Sequence, residues 1–312
     1  MRKEKYIQKY VIGVDGGGTK TVAALANLEG KILKIEKTGP SSPRNVGIKK
    51  AVENIAKAVK KVLKGGKILS TFIGLAALEE EPRLKKEIKK EILKQKEISQ
   101  IFEGKLEIGS DQIVAFRSGT DKKDGVLLIA GTGCVAHGWR EGKEAKVGGW
   151  GWLNDEGSAF WVGQRAFQVV LKDLDKRGPK TKITNLVFKE LKIKDTQGLL
   201  EKVYANPIET VPLFSILVDE ASKKEDKIAK KILEEAGKEL SLSTKIVIEK
   251  LNFKKKRFPL VLVGSMFKVK IVLRTVKREI KKIAPNVQFI LPQKEPVIGA
   301  VKLALEKIKC KY

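Results

Sequence analysis

Apolar and polar residues follow two rhythms along the chain. Short continuous apolar runs at 10–15, 20–27 and 31–37 are separated by glycine turns and predict buried strands. The segment 46–63 instead places apolar residues three or four positions apart, which predicts a helix with one buried face. Strands followed by alternating helices and strands occur twice in this order, which predicts two α/β domains.

The second half of the chain repeats this organisation with more helix. A glycine-separated pair of apolar runs begins at Val126, and continuous apolar runs predict strands at 259–265 and 287–291. The helical spacing predicts helices over 157–173, 181–192, 213–251 and 296–308. At 312 residues with 42% apolar content, the chain is long enough for two such domains.

Two glycine hairpins, at 11–21 and 126–136, carry the strongest chemical signal. Glycine leaves backbone N–H groups uncovered, and consecutive bare amides form a concave site that favours phosphate. Two hairpins half a chain apart predict a duplicated fold that holds one polyphosphate between its halves.

The first hairpin differs from the common nucleotide motifs. Gly13 and Gly18 have the P-loop separation, but Thr19 stands where that loop requires lysine. The run after Thr21 lacks a helix N-cap, which disfavours a dinucleotide fingerprint and favours a returning strand. An aspartate entering the turn, Asp15, and a hydroxyl leaving it, Thr19, suit a magnesium–phosphate partner.

The net charge of +27 has two interpretations. A basic surface neutralises nucleic-acid phosphates, whereas lysine and glutamate enrichment is also typical of heat-adapted proteins. In 83–94, Leu84, Ile88, Ile92 and Leu93 fit one buried helix face, which leaves the lysines solvated. We therefore favour a lysine-rich thermophile surface over nucleic-acid binding.

The cysteines, the histidine and the hydropathy pattern limit the compartment and the chemistry that the sequence predicts. Cys134 and Cys310 lack metal-ligand spacing, and neither is expected in a structural disulfide, which favours a reducing cytoplasm. His137, expected on or beside the strand that leaves the second hairpin, is the single histidine, so a Ser-His-Asp triad is excluded. No apolar run approaches the roughly 18 residues of a membrane span, and the N-terminus lacks a signal-peptide core.

Five segments together resemble a known family. They are 15–21, 130–133, 148–161 with its Gly-Gly-Trp-Gly and Asp-Glu-Gly-Ser runs, 261–268, and 296–301. The sequence resembles the N-acetylglucosamine kinase and BadF/BadG-type ATPase family of the actin-like, hexokinase-like superfamily, and within it archaeal broad-specificity sugar kinases. The resemblance implies two actin-like (ribonuclease H-like) α/β domains, 1–115 with 296–312 and 116–295, and a nucleotide and sugar cleft between them.

The resemblance also implies residue roles for ATP, Mg²⁺ and a sugar. Asp111 is the implied catalytic base, and Asp15 orients a Mg²⁺-bound water. The residues implied in nucleotide binding are Asp15, Gly16, Gly17, Gly18, Thr19, Lys20, Gly131, Thr132, Gly133, Gly264 and Ser265. Those implied in sugar binding are Ser42, Asn45, Asp111, Cys134, Val135, Gly149, Trp150, Gly151, Asp155 and Glu156.

Some of these roles have structural alternatives. Asp111 and Asp155 are both suited to cap a following helix, at Gln112 and near Gly157 respectively. Trp150, Trp152 and Trp161 also suit an ordinary core, and for Trp161 the core is favoured.

Departures from the family pattern affect the expected substrate. Ser42 stands where sugar kinases of the family carry asparagine, with Asn45 as its replacement, and Cys134 and Val135 replace serine and asparagine. We therefore expect phosphorylation of a hexose or amino-hexose at O6, with glucose, glucosamine, mannose and N-acetylglucosamine as candidates. The alternatives are an ATPase that activates a 2-hydroxyacyl-CoA dehydratase and a basic nucleic-acid-binding protein. The sequence leaves the oligomeric state open between a monomer and a homodimer, and dimers are common in the resembled family.

Overall fold

The computed structural model describes residues 7–76, 78, 82–103 and 105–309. The chain forms two compact units. The first joins the described residues up to Lys122 with those from Pro292 onward, and the second covers Lys123–Leu291. The predicted boundary after residue 115 lies inside a helix of the first unit. Cys310 lies outside the described residues.

Across the described residues, ten strands form two sheets. In chain order they are β1 Lys9–Gly16, β2 Thr21–Ala26, β3 Ile32–Thr38, β4 Lys67–Leu75, β5 Lys105–Ser110, β6 Gly125–Ala130, β7 Cys134–Arg140, β8 Lys143–Gly148, β9 Pro259–Val263 and β10 Gln288–Ile290.

The helices lie between and after these strands. They are α1 Pro43–Val62, α2 Pro82–Lys94, α3 Lys96–Ser99, α4 Asp111–Gly119, α5 Ala159–Leu174, α6 Lys182–Leu191, α7 Thr196–Ala205, α8 Pro207–Lys223, α9 Lys227–Lys250, α10 Lys270–Ile283 and α11 Val297–Lys309. Two short 3-10 turns, Gln100–Glu103 and Ser265–Lys268, complete the pattern.

The two sheets have the same topology. The first runs β3-β2-β1-β4-β5 and the second β8-β7-β6-β9-β10. In each, the central strand pairs antiparallel with the strand after its glycine turn and parallel with the strand on its other side. The duplicated α/β fold predicted from the two hairpins is therefore confirmed.

Both central strands are buried because helices cover the sheets. Ile12 and Val14 of β1 pack with helix α1, and Leu128 of β6 belongs to the core formed with α5, α8 and α9. The continuous apolar runs of the sequence reflect strands that are covered in this way. His137 lies buried on β7, as predicted.

The prediction of one helix over 213–251 is wrong. The chain forms α8 and α9, with a break at 224–226 where Glu225 takes a positive φ of 65°. Asp226 accepts a hydrogen bond from the Ala229 N–H and so begins α9 as its N-cap. Helix α7 was not predicted.

The prediction of the buried face of α2 is wrong at one residue. Ile88 and Ile92 are buried as predicted, but Leu93 is 44% exposed because it points about 100° away from Ile92 and still further from Ile88 around the helix. Within the described ranges, no helix is long and apolar enough to cross a membrane.

Candidate functional site

The first glycine hairpin connects β1 and β2 through a tight turn. The Gly17 N–H donates to the Lys20 carbonyl at 3.0 Å, and the tip residues Gly18, Thr19 and Lys20 are exposed. The segment after the turn is a strand, which confirms the prediction of a returning strand instead of the helix of a dinucleotide-binding fingerprint.

The loop before α1 supports this hairpin. The Gly17 carbonyl accepts hydrogen bonds from the Ser41 and Ser42 N–H groups at 3.0 and 3.1 Å. A Cβ added at Gly18 would meet the Asn45 amide nitrogen at 3.0 Å. Two of the predicted sugar-site residues of this unit, Ser42 and Asn45, therefore lie directly against the predicted phosphate turn.

Asp15 lies at the carboxyl end of the central strand β1. It is half-buried, and burial raises the pKa of its carboxyl to about 6, with the charge of Glu295 adding to the rise and Lys20 opposing it. A carboxylate that is only partly neutralised by its surroundings is suited to an incoming cation.

Glu295, just before α11, was not predicted as part of this site. Its carboxylate lies 2.9 Å from the Lys37 ammonium and 4.0 Å from that of Lys20. Lys20 and Glu295 are 275 positions apart in the chain (295 − 20). No local pattern signals such a contact, which depends on α11 returning to the first unit.

Asp111 follows strand β5 at the same sheet edge as Asp15. Asp15 pairs in register with Gly74 of β4, which pairs with Gly109 of β5. The backbones at Asp15 and Gly109 are thus two strand spacings, about 10 Å, apart. Ser110 is the N-cap of α4, with its hydroxyl accepting from the Ile113 N–H, so the proposed capping role belongs to Ser110 and Asp111 is the first residue of the helix.

The second glycine hairpin is tied to helix α5. Its Gly131 N–H donates to the Gly133 carbonyl at 2.9 Å, and the Gly131 carbonyl accepts from the Ala159 N–H at 2.8 Å. Gly264 lies beside the start of this turn with φ +121°, where an added Cβ would stand 2.1 Å from the Ala130 carbonyl oxygen. Gly264 and the exposed Ser265 therefore lie next to the second hairpin.

Asp155 connects this hairpin to the glycine–tryptophan loop. One carboxylate oxygen accepts from the Cys134 N–H at 3.0 Å and the other from the Trp150 N–H at 2.9 Å. Burial raises the pKa of Asp155, and these backbone donors oppose the rise. Ser158 is the N-cap of α5, so Asp155 does not cap that helix.

Cys134 and Val135 lie behind the loop rather than at its surface. Both are buried, and the Cys134 thiol donates to the Glu156 carbonyl at 3.1 Å. Burial, with the charges of Asp155 and Glu156, raises the pKa of Cys134 to about 12, so it remains a thiol. The side chain of Trp150 is 77% exposed, and Gly151 and Glu156 are also exposed.

Each unit thus carries a coherent part of the predicted site. The first unit groups Asp15–Lys20 with Ser42, Asn45 and Asp111, and the second groups Gly131–Val135 with Gly149–Glu156, Gly264 and Ser265. Among the residues that the structure describes, no group of three or more His, Cys, Asp or Glu could hold a metal by protein ligands alone.

The family comparison covers nearly the whole chain. The sequence pattern of the BadF/BadG/BcrA/BcrD ATPase family matches residues 12–304. The N-acetylmuramic acid/N-acetylglucosamine kinase of Clostridium acetobutylicum is 31% identical, over 95% of this chain and 98% of that protein. The N-acetyl-D-glucosamine kinase of Dictyostelium discoideum is 30% identical, over 96% and 98%.

Solved structures share the fold. A Chromobacterium violaceum protein proposed to be an N-acetylglucosamine kinase is similar with a TM-score of 0.73 and 22% identity, over 96% of this chain and 99% of that one. A ROK family glucokinase from Streptomyces griseus has a TM-score of 0.59 and 16% identity, over 95% and 98%. The two-unit α/β architecture is thus that of actin-like sugar kinases.

Proposed function

Because this chain belongs to the BadF/BadG/BcrA/BcrD ATPase family, we propose that it is an ATP-dependent sugar kinase acting on a hexose or amino-hexose. The observation that carries the proposal is the placement of Asp15 and Asp111 at one sheet edge beside a glycine hairpin. Phosphoryl transfer requires phosphate positioning, charge neutralisation and a carboxylate near the nucleophile. These residues match those three requirements.

In the proposed reaction, the sugar hydroxyl at C6 gives its proton to Asp111. Its oxygen then forms a bond to the γ-phosphorus of ATP while the bond to the β–γ bridging oxygen breaks, and ADP leaves. Asp111 is the first residue of α4, directly after the N-cap Ser110 and the end of strand β5, so its backbone is set by the sheet edge. Acid–base catalysis by such a group typically contributes about 10²–10⁴-fold.

In each unit, we assign the glycine hairpin to contacts with nucleotide phosphates. The exposed tip Gly18–Lys20 of the first and the Gly131–Gly133 turn of the second offer backbone N–H groups, and Gly264 and Ser265 border the second turn. Mg²⁺ bound with the phosphates neutralises their charge, and Asp15 would hold it through water. The partly buried carboxylate of Asp15, with its raised pKa, fits that role.

Within the second unit, we assign sugar contacts to the loop 149–156. The Asp155 carboxylate accepts a hydrogen bond from the Trp150 backbone N–H, which holds the backbone of this residue in place. The indole stays exposed and is available to cover an apolar sugar face. Ser42 occupies the position of the family's asparagine, and the contact of the Asn45 amide with Gly18 supports the proposal that Asn45 replaces that asparagine. Relatives named as kinases of N-acetylglucosamine and of glucosamine, the latter from Vibrio cholerae, support an amino-hexose.

The dehydratase-activator alternative is less supported. An iron–sulfur cluster shared by two subunits needs two accessible thiolates from each chain. Cys134 is buried, hydrogen-bonded and protonated, so it is unsuited to ligate a cluster. The curated relatives at 30 and 31% identity are kinases.

The test is ADP release with a panel of glucose, glucosamine, mannose and N-acetylglucosamine at elevated temperature. We expect phosphotransfer to at least one of them, and a fall in kcat of about 10²–10⁴-fold in Asp111→Asn. Ser110→Ala is the matched control: it removes the helix cap and lowers the unfolding free energy by about 1 kcal/mol, but keeps most of the activity. No transfer to any sugar, or full activity in Asp111→Asn, would contradict the proposal.

A further inference from the structure

The basic charge of the chain is concentrated in one stretch of the second unit. From Lys250 to Leu291, twelve lysines and arginines occur with a single acidic residue, Glu279. Helix α9 carries six basic and four acidic residues, whereas the shorter α10 carries six and one. Mixed signs are typical of a solvated, heat-adapted surface, but a surface of one sign attracts a partner of the opposite charge.

Helix α10 presents its basic residues on the side opposite the core. Val272 and Val276 of this helix are buried in the core of the second unit. On the other side, spacings of four, three and four residues place four basic residues in one stripe: Lys270, Arg274, Lys277 and Lys281. At 1.5 Å per residue, this stripe is about 17 Å long, with a cation about every 5–6 Å.

A second basic group lies at the C-terminal end of this helix. The run Lys254–Arg257 is exposed and leads into β9. The strand after α10 pairs with β9, and the Gln288 N–H donates to the Phe258 carbonyl at 2.9 Å. The end of α10 and the run Lys254–Arg257 therefore meet at one edge of the sheet.

Carboxylates neutralise only part of this surface. Glu249 lies 2.8 Å from the Lys254 ammonium, and Glu279 lies 2.8 Å from the Arg278 guanidinium and 2.7 Å from the Lys282 ammonium. The basic residues remain in large excess, because the stretch 250–291 carries twelve of them. Such exposed pairs are weak and exchange readily for a phosphate.

The apolar residues of the same stretch indicate the class of polyanion. Within 250–291, all of which the structure describes, no large apolar side chain is exposed. A helix that binds a membrane surface inserts apolar side chains, and a site for single-stranded nucleic acid offers aromatic rings for stacking. Here Phe253, Phe258 and Phe267 are buried, and Phe289 lies beneath the Lys277 ammonium at 5.8 Å. The surface therefore fits a rigid row of phosphates rather than a lipid surface or unstacked bases.

We propose that α10 and the run Lys254–Arg257 bind the phosphate backbone of double-stranded nucleic acid without reading its sequence. Duplex DNA carries one negative charge per about 1.7 Å of its axis, so the stripe on α10 spans about ten of them. Lysine and arginine that neutralise these phosphates release counterions, which favours binding at low salt. Contacts to phosphates carry no direct sequence information. The surface takes DNA and RNA duplexes through the same chemistry.

Fluorescence anisotropy of the full chain with labelled duplexes tests the proposal without ATP or sugar, and so independently of the kinase activity. Two unrelated sequences, each made as DNA and as RNA, distinguish the two kinds of duplex. We expect a dissociation constant of about 1–100 µM near 150 mM salt for DNA, RNA or both, and similar values for the two sequences. For about six phosphate contacts, log affinity should fall with log salt concentration with a slope of about −5.

A triple variant, Lys256→Gln with Arg274→Gln and Lys281→Gln, tests the location. It should weaken binding on the order of 100-fold near 0.1 M salt and reduce the slope by about 2–3, since three phosphate contacts are lost. The matched control neutralises three exposed lysines on α2 of the first unit and so lowers the net charge equally: Lys85, Lys86 and Lys89, each to Gln. It should keep the wild-type slope, and thermal melts should show both variants folded.

Four results would overturn the proposal. The first is a wild-type protein that binds neither duplex, or that binds phosphatidylserine-containing vesicles more tightly. The second is an equal loss of affinity in the two triple variants, which would assign binding to net charge alone. The third is a strong preference for one of the two sequences. The fourth is abolition of binding by saturating ATP at constant Mg²⁺ concentration, which would place the duplex at the glycine hairpins.

Discussion

The first hairpin is held by main-chain bonds and by charges at the surface, whereas the second rests on a buried carboxylate. Gly17 accepts from the Ser41 and Ser42 N–H groups, and Glu295 reaches Lys20 through solvent-exposed side chains. Around the second turn, Asp155 accepts from the Cys134 and Trp150 N–H groups, and it is only 5% exposed. Two turns of similar sequence are therefore supported in different ways.

The two hairpins illustrate two different roles of an aspartate carboxylate. The carboxylate of Asp15 is disfavoured by burial in its own unit, which fits the role with a cation proposed for it, while Asp155 makes bonds that hold two loops together. A residue that binds a transient ligand keeps its charge and hydrogen-bonding groups available for that ligand. A supporting residue instead uses those groups for bonds within the protein. Substitutions at the two positions should accordingly act on different properties.

The largest effect is expected for Asp15→Asn. Without the anionic charge, the Mg²⁺-dependent reaction should slow by at least about 10²-fold. The variant should nevertheless be more stable at pH 7. Because burial raises the pKa of Asp15 from 3.8 to about 6, the native state holds the proton more tightly, so this group lowers stability as the pH rises from about 4 to 6.

Thermal melts at two pH values check the stability part. The gain in Asp15→Asn should be up to about 3 kcal/mol at pH 7 and should nearly vanish at about pH 3 and below, where the Asp15 carboxyl is mostly protonated in both the folded and the unfolded state. An equal difference at both pH values would contradict the assigned pKa.

Asp155→Ala should instead lower stability. It leaves the Cys134 and Trp150 N–H groups without their acceptor, at about 1–3 kcal/mol for each buried group. We expect a lower melting temperature together with a raised KM for the sugar, because the Trp150 loop loses its anchor. Glu156→Ala, with its side chain exposed on the same loop, is the control for stability and should melt near the wild-type temperature.

Two glycines of the second turn should respond differently to alanine. At Gly133 an added Cβ would lie 2.6 Å from the Asp155 carboxylate, whereas at Gly131 no atom lies within 4 Å. Gly133→Ala should therefore lower the unfolding free energy by about 1–3 kcal/mol, and Gly131→Ala should not. Chemical denaturation of the pair measures this difference, and equal losses would show that Asp155 does not support the turn.

The smallest effect is expected for Glu295→Gln. Its pairs with Lys20 and Lys37 are exposed, so stability should change by no more than about 1 kcal/mol. Since the charge of Glu295 raises the pKa of Asp15, its removal should move the acid limb of the kcat/KM profile to lower pH. An acid limb that moves to higher pH would be inconsistent with this network.

Much of the fold follows from local pattern. The strands around both turns, and helix α6, were predictable because apolar runs and glycine turns act over a few neighbouring residues. The prediction failed at 224–226, where Lys223-Lys-Glu-Asp continues a helical pattern and only the left-handed backbone of Glu225 and the cap by Asp226 interrupt it. Helix capping was also predicted as an alternative role for Asp111 and Asp155. In the structure, Ser110 and Ser158 make the capping hydrogen bonds.

The sequence by itself determined the two hairpins, the duplicated order of elements and the position of Asp15 and Asp111 at strand ends. These depend on backbone torsions and on apolar spacing, which neighbouring residues encode. Only the tertiary structure decided that Asp155 joins Cys134 to Trp150, that Glu295 lies beside Lys20, and that α8 keeps an exposed apolar face. Such contacts depend on how distant segments pack, because a hydrogen bond or ion pair forms only when folding brings its two groups within about 3–4 Å.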